Sequence, residues 1–424
     1  MKRFEEMNRE ELLVVYQQAQ ADYSAACSQG LKLDMSRGKP GIEQLALSDE
    51  LLKLPALDQC NVDGIEARNY GVLAGLPSCR KLFAQLLGVQ PDEVFVGGNA
   101  SLTVMYDIIA KAFTHGLLHS NTPWSRLDKV KFICPVPGYD RHFAICESFG
   151  MEMITAPMLL DGPDMDKVEE LIKDPSVKGM WCVPKFSNPD GMTYSEAVIR
   201  RIAKMKPAAP DFLLMWDNAY CVHEFDAQYE PIPDILGLCR EYGNPDMAVE
   251  FASTSKITLP GAGVSCFACS LDNMAYFSKL IGAQSISYDK VNQLRHVLFL
   301  KDKEYTLAHM EKHAAILKPR FDIVLSKLDE QVEPLGIAHY FRPRGGYFVS
   351  LYAMPGTAKR VHALMKNAGV VMTGAGATYP HGNDPQDSNL RIAPSFPSLD
   401  ELAKAMDVLC VCLRLAAAEK TLGK

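Results

Sequence analysis

FLLMWDNAY (212–220) and AVEFASTSK (248–256) are two apolar runs, each giving way to polar residues that can carry chemistry. Continuous rather than alternating apolar character is the mark of a strand covered on both faces, as in a parallel sheet sandwiched between helices. The first run stops at Asp217, and the second at Ser253, just before the hydroxyl-flanked Lys256. An acid ending a core strand is either a site residue or a helix N-cap. A lone lysine is ordinarily a solvated surface charge, but beside a core strand end and near such an acid it becomes a candidate imine-forming amine.

The pattern repeats in the part of the chain that precedes these runs. EVFVGG precedes the helical TVMYDIIAKAF, VKFICP precedes DRHFAICESFG, and GMWCVP precedes SEAVIRRIAKM. Such alternation predicts an α/β fold, with a three-layer α/β/α large domain around a mostly parallel sheet. Beyond a charged helical stretch at about 290–330, GGYFVSLY, GVVMTG and NLRIAPS surround the helix KRVHALMKN, which predicts a smaller α+β domain. The expected division is 1–50 for an N-terminal helix and arm packing on the small domain, 51–300 for the large domain and 301–424 for the small one. Capping boxes at Asn8/Glu11 and Ser398/Glu401 predict the first and last helices.

With 424 residues and 48% hydrophobic content, the chain can bury a core of two or three domains. A net charge of −7 argues against nucleic acid as a partner. The absence of an apolar run of roughly 18 residues argues against a membrane span. Twelve cysteines, mostly inside apolar runs, suit a reducing compartment, and a cytoplasmic location is expected. Cys266 and Cys269 form a C-x-x-C, but in VSCFACS they read as opposite faces of a buried strand, so no metal is expected there. Gly261/Gly263 and Gly374/Gly376 both lack the third glycine of a dinucleotide fingerprint, which disfavours a Rossmann dehydrogenase.

Two further motifs sit at strand ends. VGGNASL (96–102) opens a helix with small residues, so its backbone N–H groups can cradle an anion. SNPDGMT (187–193) marks a tight turn after GMWCVP, where α/β folds place ligands, although it also reads as a turn and nothing more.

In this order, the glycine-containing loop, N-P-x-G, D-x-A-Y, S-x-S-K and the late L-R-I-A-P resemble the fold-type I pyridoxal-phosphate aminotransferases of the aspartate aminotransferase superfamily. The wording SRGKPG, RNYGVLAG, SKITLPGAG and LRIAPSFP is most similar to the bacterial type Ic aspartate aminotransferases, and the likeness covers nearly the whole chain. It implies that the large domain binds pyridoxal 5′-phosphate and that Lys256 holds it as an internal aldimine and shuttles the proton. Asp217 would pair with the pyridine nitrogen, and Tyr220 and Asn188 would reach the 3′-oxygen. Tyr139 would stack on the ring; its plain alternative is a helix-start tyrosine. Gly98, Asn99, Ala100 and Ser253 would hold the phosphate, with Tyr70 reaching across a homodimer whose active sites are shared. Arg391 would grip the substrate α-carboxylate, with Gly38 and Asn188 beside the substrate. The implied activity moves the amino group of L-aspartate or L-glutamate onto 2-oxoglutarate or oxaloacetate, so the partners are amino acids and 2-oxo acids.

The thirty-nine positions from Asp217 to Lys256 leave room for one crossover helix, as that pairing requires. A second cation for a dicarboxylate remains open among Arg37, Arg68, Arg295 and Arg344. One departure stands out: the family arginine eight residues after the lysine is Val264 here. Relatives acting on alanine or aromatic amino acids, β-eliminating lyases and a regulatory ligand-binding protein on the same fold are the alternatives.

Overall fold

Why the strands carry no polar face is visible in how their side chains divide. In Leu213–Asp217, Leu214 and Trp216 enter one hydrophobic cluster, while Leu213 and Met215 enter another on the opposite side. In Ala248–Ser253, Ala248 and Ala252 join the first cluster and Val249 and Phe251 the second. The period of two along a strand thus feeds both helical layers, and each large side chain so buried contributes about 1.5–3 kcal/mol. Cys266 and Cys269 likewise fall into different clusters, and all twelve cysteines are free.

The computed structural model describes residues 2–226 and 228–424. Its large sheet has eight strands, in the order Val94–Val96, Ser265–Ala268, Ala248–Ser253, Leu213–Asp217, Val177–Cys182, Lys131–Val136, Glu152–Leu159 and Gly162–Pro163. Pairing is parallel from Ala248–Ser253 through Glu152–Leu159. Ser265–Ala268 runs antiparallel to both its neighbours, and Gly162–Pro163 is a short antiparallel edge. The sheet is therefore mostly parallel with one reversed internal strand. Glu152–Leu159 contains Pro157, which weakens its strand signature, and it lies one place from the sheet edge, where a missing N–H is tolerated.

Parallel strands share a C-terminal edge, and that edge gathers the motifs. Phe251 pairs with Asp217, so the segment that carries Lys256 leaves the sheet beside the acid. The turn after Val177–Cys182 and the start of the helix Asp140–Ser148 after Lys131–Val136 lie at the same edge.

The smaller unit has an antiparallel sheet of Ala338–Tyr340, Val349–Ala353 and Asn389–Ile392. Val370–Met372 pairs instead, in parallel, with Leu33–Met35 near the amino terminus. A hydrophobic cluster joins residues of the early helix Arg9–Ser28, the strands and the last helix Leu399–Leu422. Both expected capping boxes are formed. The long helix Lys303–Gln331 serves both cores: Met310 packs in the large one, Phe321, Val324 and Leu328 in the small one. Among the described residues no helix is long and apolar enough to cross a membrane.

Candidate functional site

A cavity of about 550 Å³ opens at the C-terminal edge of the sheet and is closed on its far side by the small unit. Of the residues singled out from the sequence, Gly38, Ala100, Tyr139, Asn188, Asp217, Tyr220, Ser253, Lys256 and Arg391 line it. Gly98 and Asn99 do not; the Asn99 amide turns away to the carbonyls of Pro260 and Gly263. Tyr70 lies outside the cavity and is exposed.

At the floor, Asp217 is buried and its Oδ2 lies 3.1 Å from Nε2 of His142. Its Oδ1 is buried with no partner. A buried carboxylate oxygen without a donor is costly, so this atom suits a ligand that brings an N–H. The His142 ring is fixed by stacking on Trp181, with centroids 4.2 Å apart and planes 9° from parallel. Tyr139, the N-cap residue of Asp140–Ser148, meets His142 edge-on at 5.0 Å. Burial pushes the Tyr139 hydroxyl up to about 12.

Lys256 Nζ lies over the Tyr220 ring, 4.9 Å from its centroid, and 5.8 Å from that of Tyr347. Burial, then the nearby Asp217 charge, raise the Tyr220 hydroxyl far above its usual range, so this phenol stays protonated and able to donate. Tyr347 is held by Gln44, whose Nε2 donates to its hydroxyl at 2.9 Å. His223 is buried against both tyrosines, and neither ring nitrogen has a partner. Its burial, then the Lys256 charge, keep it neutral far below the usual histidine range.

The helix Ser101–Thr114 starts at the cavity wall with Ala100 as N-cap, and no side chain caps its first turn. Such a start offers unpaired N–H groups and the positive end of the helix dipole to an anion. Ser253, which donates to Ser255 at 3.2 Å, adds hydroxyls on the same wall. Val264 is buried in the core and its N–H donates to Thr254, so no cation occupies that position.

Arg391 enters from the small unit on the strand Asn389–Ile392. Its Nη1 donates to Asp140 Oδ1 at 2.9 Å and to Asn188 Oδ1 at 3.0 Å, and its guanidinium lies 4.8 Å from the Phe348 ring centroid. Asn188 is presented by a turn in which Gly191, at φ +70°, donates to the Ser187 carbonyl at 2.6 Å; a Cβ there would meet Pro343 at 2.6 Å. At the mouth, a Cβ on Gly38 would come within 2.5 Å of the Phe348 ring, so only glycine fits against that ring.

Among the described residues, Arg37 is the one of the four arginines named for a second carboxylate that lines the cavity. Arg68 pairs with Glu66, Arg344 with Glu230, and Arg295 donates to the Leu54 carbonyl. Arg141, with no motif to mark it, also lines the cavity. Asp140, Tyr347 and His223 carry no local sequence signal either. The one hint for His142 was its place three residues after Tyr139, on the same helical face.

The family model described as aspartate amino-transferase matches residues 7–424. An aspartate aminotransferase of Corynebacterium glutamicum is 51% identical over 393 residues, covering 92% of this chain and 91% of that protein. The crystal structure of an aspartate transaminase from the same species superposes with a TM-score of 0.96 at 48% identity, covering 98% of each chain. At 21% identity, an α-aminoadipate aminotransferase of Thermus thermophilus, solved with N-(5′-phosphopyridoxyl)-L-leucine, shares the fold with a TM-score of 0.72.

Proposed function

The chain belongs to the aspartate amino-transferase family, and from that premise we propose that it is a pyridoxal-phosphate-dependent aminotransferase acting on L-aspartate or L-glutamate with 2-oxoglutarate or oxaloacetate. The observation that carries this reading is the convergence, in one cavity, of Lys256, the unpartnered Oδ1 of Asp217 and the half-committed fork of Arg391.

The residues fit the cofactor: Asp217 Oδ1 lacks a donor that a protonated ring nitrogen provides, and the uncapped helix start at Ser101 suits a phosphate. When bound, pyridoxal 5′-phosphate supplies the electron sink that lets a proton leave the α-carbon of an amino acid. Lys256 Nζ is the amine that would hold the cofactor and, when free, would carry the proton to and from the substrate α-carbon. Asp217 would keep the ring nitrogen protonated, while His142 holds its other oxygen and Trp181 holds His142. Tyr220 donates from its protonated hydroxyl toward the 3′-oxygen. Asn188, whose Oδ1 is committed to Arg391, offers its amide N–H groups to the same atom. Tyr139, on the cavity wall, would lie against the ring face.

Arg391 receives the α-carboxylate, because a planar fork matches it in two bonds. Arg37, exposed at the cavity wall, receives the distal carboxylate. The protein works as a homodimer in which Tyr70 of one subunit reaches the phosphate site of the other, which accounts for a tyrosine 80% exposed on the single chain. Twelve free thiols suit the cytoplasm.

Absorbance of the holoenzyme on adding single amino acids tests the reading. Aspartate and glutamate should bleach the lysine-linked chromophore with far higher efficiency than alanine or phenylalanine. Equal efficiency with alanine would reject the dicarboxylate preference, and pyruvate with ammonia would reject transamination.

A further inference from the structure

Arg391 is nearly enclosed, with 8% of its side chain exposed, and a charge so placed needs a counter-ion. Asp140, the first residue of the helix Asp140–Ser148, supplies it from the opposite unit. The donors of Arg391 can be counted. Nη1 has two hydrogens, and both are taken, by Asp140 and Asn188. Nη2 reaches Thr373 Oγ1 at 3.4 Å and keeps one hydrogen free. Nε is buried and has no partner among the described residues. An incoming carboxylate that takes the guanidinium end-on, through Nη1 and Nη2, must displace one of the two acceptors on Nη1; Asn188 is buried and neutral, whereas Asp140 is charged and about a third exposed, so Asp140 is the one that can leave. Asp140 has somewhere to go: its other oxygen, Oδ2, is already 3.9 Å from Nε of the half-exposed Arg141.

We propose that Asp140 is a resident competitor for Arg391, a carboxylate that neutralises the arginine between turnovers and swings to Arg141 when the substrate carboxylate arrives. The inference rests on the reading of Arg391 as the α-carboxylate site. Because the displaced bond is the same for every ligand, the competition weakens all carboxylates by a similar factor, and the return of Asp140 helps expel product. Asp140 acts through Arg391 and does not touch the reacting atoms.

The test uses the holoenzyme, with maleate and propionate as non-reacting probes, by calorimetry and by the shift of cofactor absorbance. Asp140→Asn should tighten both probes by a similar factor of roughly three to thirty, the worth of one partly exposed charged hydrogen bond. It should also lower KM for the amino donor more than it changes kcat/KM's dependence on the distal group. Asp140→Ser repeats the measurement without an amide. Arg141→Gln should weaken propionate a few-fold, since Asp140 loses its second partner. Unchanged or weaker binding in both Asp140 variants would overturn the proposal, because Asp140 would then be orienting Arg391 rather than competing for it. Arg391→Lys separates the two ideas: if it leaves propionate binding intact, the α-carboxylate assignment itself falls, and the competition with it.

Discussion

Asp217 meets His142 through one carboxylate oxygen, at 3.1 Å, and keeps the other buried and unpartnered. One oxygen is thus held by the imidazole and the other has no donor among the described residues. Replacing His142 by Phe preserves the stack on Trp181 but strips Asp217 of its one donor. The variant should lose about 1–3 kcal/mol of stability without cofactor, and its pH–rate profile should shift. Asp217→Ala should instead abolish most turnover while cofactor remains bound. Denaturant unfolding of the apoprotein and kcat against pH are the measurements; a His142→Phe enzyme with both unchanged would show that the contact does not orient the acid.

Lys256→Ala should fold and bind the cofactor without covalent attachment, with turnover reduced by several orders of magnitude, because attachment and proton transfer are lost together. Borohydride reduction of the wild-type holoenzyme followed by peptide mapping should place the label on Lys256. A label on Lys39, the other lysine at the cavity wall, would reject the assignment.

Arg391→Lys should weaken amino-acid and 2-oxo-acid binding by roughly 2–4 kcal/mol, since an ammonium cannot replace a bidentate fork. The loss should appear for every substrate. Intact apparent affinities would mean that the carboxylate binds elsewhere.

With Val264 in place of a guanidinium, phosphate affinity should depend on the helix start at Ser101, on Ser253 and on Tyr70 from the second subunit. A hydrogen bond to a charged acceptor is worth about 1.5–3 kcal/mol, so Ser253→Ala and Tyr70→Phe should each weaken cofactor binding roughly ten- to a hundredfold. Titration of stripped protein with pyridoxal phosphate decides it. Unchanged affinity in both would show that another group carries the charge.

Glu250 gives a pH-dependent stability. It is buried, its Oε1 accepts from Asn218 at 2.8 Å, and burial pushes it up to about 8. The unfolded carboxyl ionises near 4.3, so between there and 8 the folded state holds a proton that the unfolded state has released. Stability must therefore fall as pH rises through that window, by at most about 1.4 kcal/mol per unit for this group. Glu250→Gln should flatten the decline and be more stable than wild type at pH 8, as followed by thermal unfolding from pH 5 to 9. An identical slope in the variant would show that Glu250 is not the source.

The strands and their order of chemistry were readable because buried parallel strands are apolar throughout and because glycines, Asp217 and Lys256 interrupt them at one kind of place. Ala338–Tyr340 was not readable, since three residues with a central histidine carry no period. The pairing of Leu33–Met35 with Val370–Met372 was equally hidden, because two short runs 337 positions apart leave no local trace of each other.

The site divides in the same way. Asp217, Lys256, Asn188 and Arg391 announce themselves through motifs whose spacing follows from strand, turn and crossover helix, so the chain alone determined the class of fold and the order of its chemical groups. Which oxygen of Asp217 is free, which arginine reaches the cavity and which acid neutralises Arg391 were decided only by tertiary structure. Those choices depend on side chains from the two units meeting at 3 Å across one cavity, and a contact between Asp140 and a residue 251 positions away has no periodicity by which a sequence could record it.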